Sequence, residues 1–104
     1  MKVERNIVER IGIPAVLETC AEECNELAKA CLKLSRKLRN EQPTPKTLEE
    51  LIASLSEEIG DVISCMGVIM DETELISDAA IFHMAESKQE RWVERIDEFL
   101  KEKV

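Results

Sequence analysis

Leu17, Cys20, Cys24, Leu27, Cys31, Leu34 and Leu38 follow one another at alternating steps of three and four residues. That rhythm places them on one face of an α-helix. Leu48, Leu51, Leu55, Ile59, Val62, Met66 and Ile69 form a second stripe of the same kind. The one clear loop, "NEQPTPKT" at 40–47, lies between them and carries two prolines. Two long amphipathic helices with a short connection predict an antiparallel hairpin, and hence an all-α bundle.

The rest of the chain extends this reading. "ERNIVERI" at 4–11 suits a short amphipathic helix, interrupted by "GIP" at 12–14. Pro14 fits the first turn of the next helix, which runs over about 15–39. Thr47 followed by Glu50 is a capping box that opens a helix over about 48–71. That helix has a second stripe of small residues, Ala53, Ser56, Gly60, Ser64 and Gly67, which predicts cover on two sides. "DET" at 71–73 reads as a brief break. A last helical region covers 74–102, either as one helix or as two joined near 84–88.

Composition closes other routes. There are three glycines, three prolines and no tyrosine, and aromatic residues make up 3% of the 104 residues. A β-sandwich or barrel needs more turn-forming and aromatic material. Residues 1–104 are read as a single domain with a small core. The net charge of −8 argues against binding a nucleic acid polymer, which needs cations to displace phosphate counterions. The longest apolar run, "VISCMGVIM" at 62–70, is too short to span a membrane. Charged residues directly after Met1 do not resemble a signal peptide, so the expected location is cytoplasmic, with reduced thiols. Cys20, Cys24 and Cys31 then read as small core residues. A zinc site is the weaker alternative, because no pair has C-x-x-C spacing.

Two acidic stretches stand inside the long helices, "EECNE" at 22–26 and "EEIGD" at 57–61. At roughly 100° per residue, Glu23 and Glu26 lie roughly 65° and 125° to one side of the first stripe. Glu58 and Asp61 lie roughly 70° and 130° from the second, in the same rotational sense. In an antiparallel hairpin, features of the same sense fall on the same side. Both pairs are centred on position 42, inside the loop, so they also share a level. Four carboxylates are expected to converge, with Glu22 and Glu57 pointing outward. Such a cluster repels itself unless a hard cation compensates, and Mg²⁺ prefers oxygen ligands. A merely solvated acidic face is the alternative.

Basic residues recur as well. Lys33 and Arg36 follow the first acidic stretch, and Lys88, Arg91 and Arg95 repeat along the last helix. They suit either phosphate binding or ordinary surface pairing. His83 is the only histidine, and the chain has no Glu-x-x-His, which disfavours a ferritin-like di-iron site. His83 is read as structural or exposed, and Trp92 as a core or interface residue.

"EECNELAKACLKLSR" followed by "EEIGDVI" resembles the MazG-like, all-α nucleoside triphosphate pyrophosphohydrolase superfamily, which includes dimeric dUTPases and phosphoribosyl-ATP pyrophosphohydrolases. The resemblance covers roughly residues 15–70, and "KQERWVERI" at 88–96 is similar to the basic C-terminal segment of many small members. It implies Mg²⁺, or Mn²⁺ in its place, held by Glu23, Glu26, Glu58 and Asp61. It implies hydrolysis of a nucleoside triphosphate between the α- and β-phosphates, with Glu22 orienting or deprotonating the water. Lys33, Arg36, Lys88 and Arg91 would hold the leaving pyrophosphate. It further implies a homodimer or tetramer whose hairpins pack into four-helix bundles. The alternatives are a phosphoribosyl-ATP pyrophosphohydrolase and a non-catalytic helical dimerisation or regulatory module.

Overall fold

The computed structural model describes residues 5–40 and 43–103. They form four α-helices and, among the described residues, no strand. The helices are α1 (Ile7–Ile11), α2 (Ile13–Arg39), α3 (Leu48–Glu72) and α4 (Asp78–Glu102). The expected helix start at position 4 and loop positions 41 and 42 lie outside the described residues. The chain divides into two compact units, one ending at Thr73 and the other starting at Glu74.

In the first unit α1 is little more than one turn. Gly12 closes it at φ 86, ψ 157, a conformation that only glycine adopts readily. Its N–H donates to the Val8 carbonyl at 2.7 Å. The chain turns there straight into α2, with Pro14 in the first turn as the sequence predicts. The Val8 N–H donates to Glu72 Oε1 at 3.0 Å, which ties α1 to the end of α3.

The loop end of the hairpin is built by caps. Asn40, at φ 56, ends α2 by donating its N–H to the carbonyls of Arg36 and Lys37. Arg36, Lys37 and Arg39 offset the negative end of the helix dipole there. Thr47 and Glu50 form the predicted capping box, with both hydrogen bonds at 3.1 Å. The N–H and hydroxyl of Thr47 hold the Glu50 carboxyl below its usual range.

α2 and α3 pack along one seam. Its α2 side consists of Val16, Cys20, Glu23, Leu27, Ala30, Leu34 and Lys37, all buried or partly buried. Its α3 side includes Leu51, Ser54, Leu55, Glu58, Asp61, Val62 and Cys65. Val16, Ala30, Leu51 and Val62 are the buried apolar core. The seam is not centred on the sequence stripes. On each helix it is rotated by roughly 60–70° towards the acidic side. Leu17, Cys24, Cys31 and Leu38 on α2 therefore stay exposed, as do Leu48, Ile52, Ile59, Ile63 and Met66 on α3. Each apolar arc is wider than one neighbour covers, and the hairpin uses only one flank of it. The cysteines split accordingly: Cys20 and Cys65 are partly buried, while Cys24 and Cys31 are exposed rather than core residues.

In the small-residue stripe of α3, a Cβ built on Gly60 or Gly67 would meet nothing within 4 Å among the described residues. The "DET" break falls later than predicted, because Asp71 and Glu72 are still helical and Thr73 caps α3.

The second unit starts with a turn in which Glu74 takes a positive φ of 58. α4 follows as one uninterrupted helix without the joint considered near 84–88. The Ser77 hydroxyl caps it by accepting from the Ala80 N–H at 3.3 Å. α4 buries none of its residues, and Trp92 is 66% exposed. The Lys103 ammonium sits 4.7 Å from the Phe99 ring centre.

Candidate metal centre at the hairpin seam

Glu58 and Asp61 stand one helical turn apart on the seam face of α3, and Glu23 faces them from α2. One carboxylate oxygen from each of the three lies within 4.8 Å of the other two. All three residues are partly buried. Among the described residues they are the one group of three or more histidine, cysteine or acidic side chains close enough to share an ion. The cysteine alternative for zinc has no such group.

The electrostatics are those of crowded anions. Loss of hydration pushes the Glu23 carboxyl above its usual range, and the nearby Asp61 and Glu58 charges push it further. A hydrogen bond with Asp61 also favours the protonated form of Glu23. Glu58 is raised by the same desolvation, then by Asp61, Glu26 and Glu57. A divalent cation would reverse each of these penalties. The donor set is all oxygen, as Mg²⁺ and Mn²⁺ prefer. Neighbouring oxygens on an octahedral Mg²⁺ stand about 3 Å apart and opposite ones about 4.2 Å, so the three side chains would have to draw in around an ion.

Glu26 does not join the three. It pairs with Lys29 at 3.3 Å, with both side chains more than half exposed. The expected four-carboxylate cluster is therefore three carboxylates with Glu26 at the rim. The seam rotation is the reason: it brings Glu23 onto the interface and leaves Glu26 roughly 70° off it. Glu26 still faces the cluster across a cavity of about 170 Å³, which Glu58, Lys29, Lys33, Lys46 and Ser54 also line.

The remaining expected site residues fall in three places. Lys33 and Arg36 line a cavity of about 250 Å³ at the loop end of the hairpin. Glu22 is exposed on α2, on the outer side of the acidic stretch. Lys88 and Arg91 are exposed on α4, in the second unit, as is His83.

Three residues of this region were not singled out for it in the sequence. Lys29 and Lys46 line the cavities beside the cluster. Cys65 adjoins it: burial pushes its thiol up, and the Glu23 and Asp61 carboxylates add to the effect. Burial likewise raises Cys20, helped by Cys24. The signal for Cys65 was available, because 20 and 65 straddle the loop almost as evenly as 23 and 61. Lys46 gave no such signal.

The chain matches no protein family, no curated protein and no solved structure.

Proposed function

We propose that the chain is a Mg²⁺-dependent hydrolase that cleaves a nucleoside triphosphate between the α- and β-phosphates, giving a monophosphate and pyrophosphate. The observation that carries this reading is the convergence of Glu23, Glu58 and Asp61 from two helices. Three carboxylates held on a seam at an electrostatic cost are hard to explain as a solvated face. The resemblance of the two acidic stretches to the MazG-like superfamily supplies the reaction class.

In this reading Glu23, Glu58 and Asp61 would hold the ion, with Glu26 near them at the rim. A bound ion would neutralise phosphate charge and lower the pKa of the attacking water. The role of orienting that water or taking its proton comes to Glu22, exposed on α2 beside Glu23, from the resemblance alone. Lys33 and Arg36 bind phosphate from the loop end, and the resemblance implies Lys88 and Arg91 as further phosphate-binding residues. No serine, cysteine or histidine nucleophile is called for. The test is turnover in Glu58→Gln and Asp61→Asn. Each is expected to reduce Mg²⁺-dependent hydrolysis by at least a hundredfold while the fold persists, as read by circular dichroism. Undiminished turnover in both would refute the assignment.

The reading includes a homo-oligomer. Leu17, Leu38, Leu48, Ile52, Ile59, Ile63 and Met66 leave one flank of the hairpin apolar and exposed. A patch of that kind marks an interaction surface. A second hairpin laid on that flank would complete a four-helix bundle. Ile63, 63% exposed, is the probe. The parent is expected to elute as a dimer or larger, and Ile63→Glu as a species near the chain mass of 11.8 kDa. A parent that sediments as a compact monomer contradicts this.

A further inference from the structure

Cys20, Cys24 and Cys65, three of the chain's four cysteines, gather beside the carboxylates. Cys20 and Cys65 are partly buried on the α2 and α3 sides of the seam. Glu23 meets Asp61 across that seam. Cys20 precedes Glu23 by three residues and Cys65 follows Asp61 by four. In an antiparallel hairpin both therefore stand about one turn farther from the loop, at one level. Cys65 is close enough to Cys20 for its charge to act there, and Cys24 is close enough to act on both. Cys24, one turn along α2 from Cys20, is exposed and shares a hydrogen bond with the Cys20 thiol.

Packing as a small apolar side chain accounts for a buried cysteine. It does not account for Cys24, nor for three thiols from two helices meeting at one place. An exposed thiol beside two sheltered ones suits thiol–disulfide exchange, in which one sulfur meets the oxidant and others keep the bond. Geometry decides which pair keeps it. Side chains four apart on a helix have Cβ atoms about 5–6 Å apart, and a disulfide needs about 3.5–4.5 Å. Cys20 and Cys24 therefore hold a bond only under strain. Across the seam, the neighbours of Cys20 and Cys65 one turn away are the buried Val16 and Val62, whose short side chains let the two helices approach.

We propose that Cys20 and Cys65 form a reversible disulfide across the hairpin, with Cys24 as the thiol through which a small-molecule disulfide enters. The exposed Cys24 thiolate attacks one sulfur of that disulfide, keeps that half as a mixed disulfide and releases the other half as a thiol. Cys20 then attacks the Cys24 sulfur and displaces the second half. Cys65 attacks the Cys20 sulfur, takes over the bond and returns Cys24 to a thiol. Two protein thiols lose two electrons and two protons, and the small disulfide takes up both and leaves as two thiols. Bonds of this kind are transient and redox-sensing where thiols are kept reduced. The bond joins the two segments that carry Glu23 and Asp61. It needs neither an ion nor a nucleotide, so it stands or falls apart from the hydrolase reading.

The test is incubation of the whole chain with oxidised glutathione, read by intact mass, by mapping of linked peptides and by melting temperature. The parent is expected to lose two hydrogens, to keep no glutathione and to yield peptides joined through Cys20 and Cys65. It is expected to melt on the order of 10 °C above the reduced chain, because the bond closes a long loop in the unfolded state. Dithiothreitol is expected to reverse all of these changes. Cys24→Ser is expected to form the same link at least about tenfold more slowly, and Cys31→Ser at the parent rate. Cys65→Ala is expected to show no gain in melting temperature. The parent result decides the matter even where a variant does not fold. A parent that keeps glutathione on Cys24, joins Cys20 to Cys24, links only between chains through Cys31 or ends with four free thiols overturns the inference. A Cys24→Ser variant that links at the parent rate overturns the entry role of Cys24.

Discussion

Metal-free Glu58→Gln is expected to melt above the parent at neutral pH, and Mg²⁺ is expected to do little for it. The parent should respond in the opposite way, with a low metal-free melting temperature and a rise on the order of 10 °C when Mg²⁺ is a hundredfold above its dissociation constant. The cause is the same in both. Glu23 and Glu58 have carboxyls raised above the usual range by lost hydration and by their neighbours' charges. Removing one charge relieves the repulsion, but it also removes a ligand. The sign of the pH dependence follows. An acid whose pKa is higher folded than unfolded binds protons preferentially in the folded state. The metal-free parent therefore gains stability as pH falls from neutrality through the raised pKa towards the usual glutamate value, and loses it again as pH rises. With Mg²⁺ present the trend reverses in that window, because protons compete with the ion for the same oxygens. Calorimetric scans at several pH values, with Mg²⁺ and with a chelator, read both effects. A parent indifferent to Mg²⁺ at neutral pH would leave the cluster without an ion to hold.

Leu51→Ala is expected to cost about 2–4 kcal/mol of stability. Leu51 is 2% exposed, the least exposed of the four core residues, and sits where α3 leaves its capping box and meets α2. Few other side chains share the task. With so small a core, one cavity removes a large part of the margin that a domain of this size has. Leu32→Ala is the control. Leu32 is 55% exposed and lies on the outer face of α2, so its loss should stay within about 0.5 kcal/mol. Urea unfolding of both variants at one protein concentration makes the comparison, since subunit association would shift both midpoints. Equal costs would mean that the seam does not run through Leu51.

The hairpin was legible because its signals are local. The three-and-four spacing, Pro14 at the start of α2, the proline-rich loop and the Thr47–Glu50 box all lie within a few residues of the structure they specify. The level of the acidic stretches was legible from their symmetry about the loop. What the spacing left open was which flank of a broad apolar arc the hairpin uses. A stripe centre says where apolar residues point on average. Two neighbours sharing one arc each take an edge of it. That is why Leu17 and Leu38 are exposed, why Glu23 lies on the seam and why Glu26 stands at the rim. The continuity of α4 was open for a different reason: "AESKQER" is a run of good helix formers without an apolar rhythm, so pattern alone marks neither a joint nor its absence. Lys46 was missed because a loop residue's direction depends on how the chain enters the next helix, which spacing does not encode.

Phosphorus NMR of the products, with a panel of nucleoside triphosphates and Mg²⁺ and with Glu58→Gln alongside, reads which phosphate bond the hairpin site breaks. A nucleoside monophosphate and pyrophosphate are expected in equal amounts from at least one member of the panel, with none formed without the ion and none by the variant. Orthophosphate with a diphosphate, or a parent that turns over nothing on the panel and shows no response to Mg²⁺, would contradict the proposed cleavage.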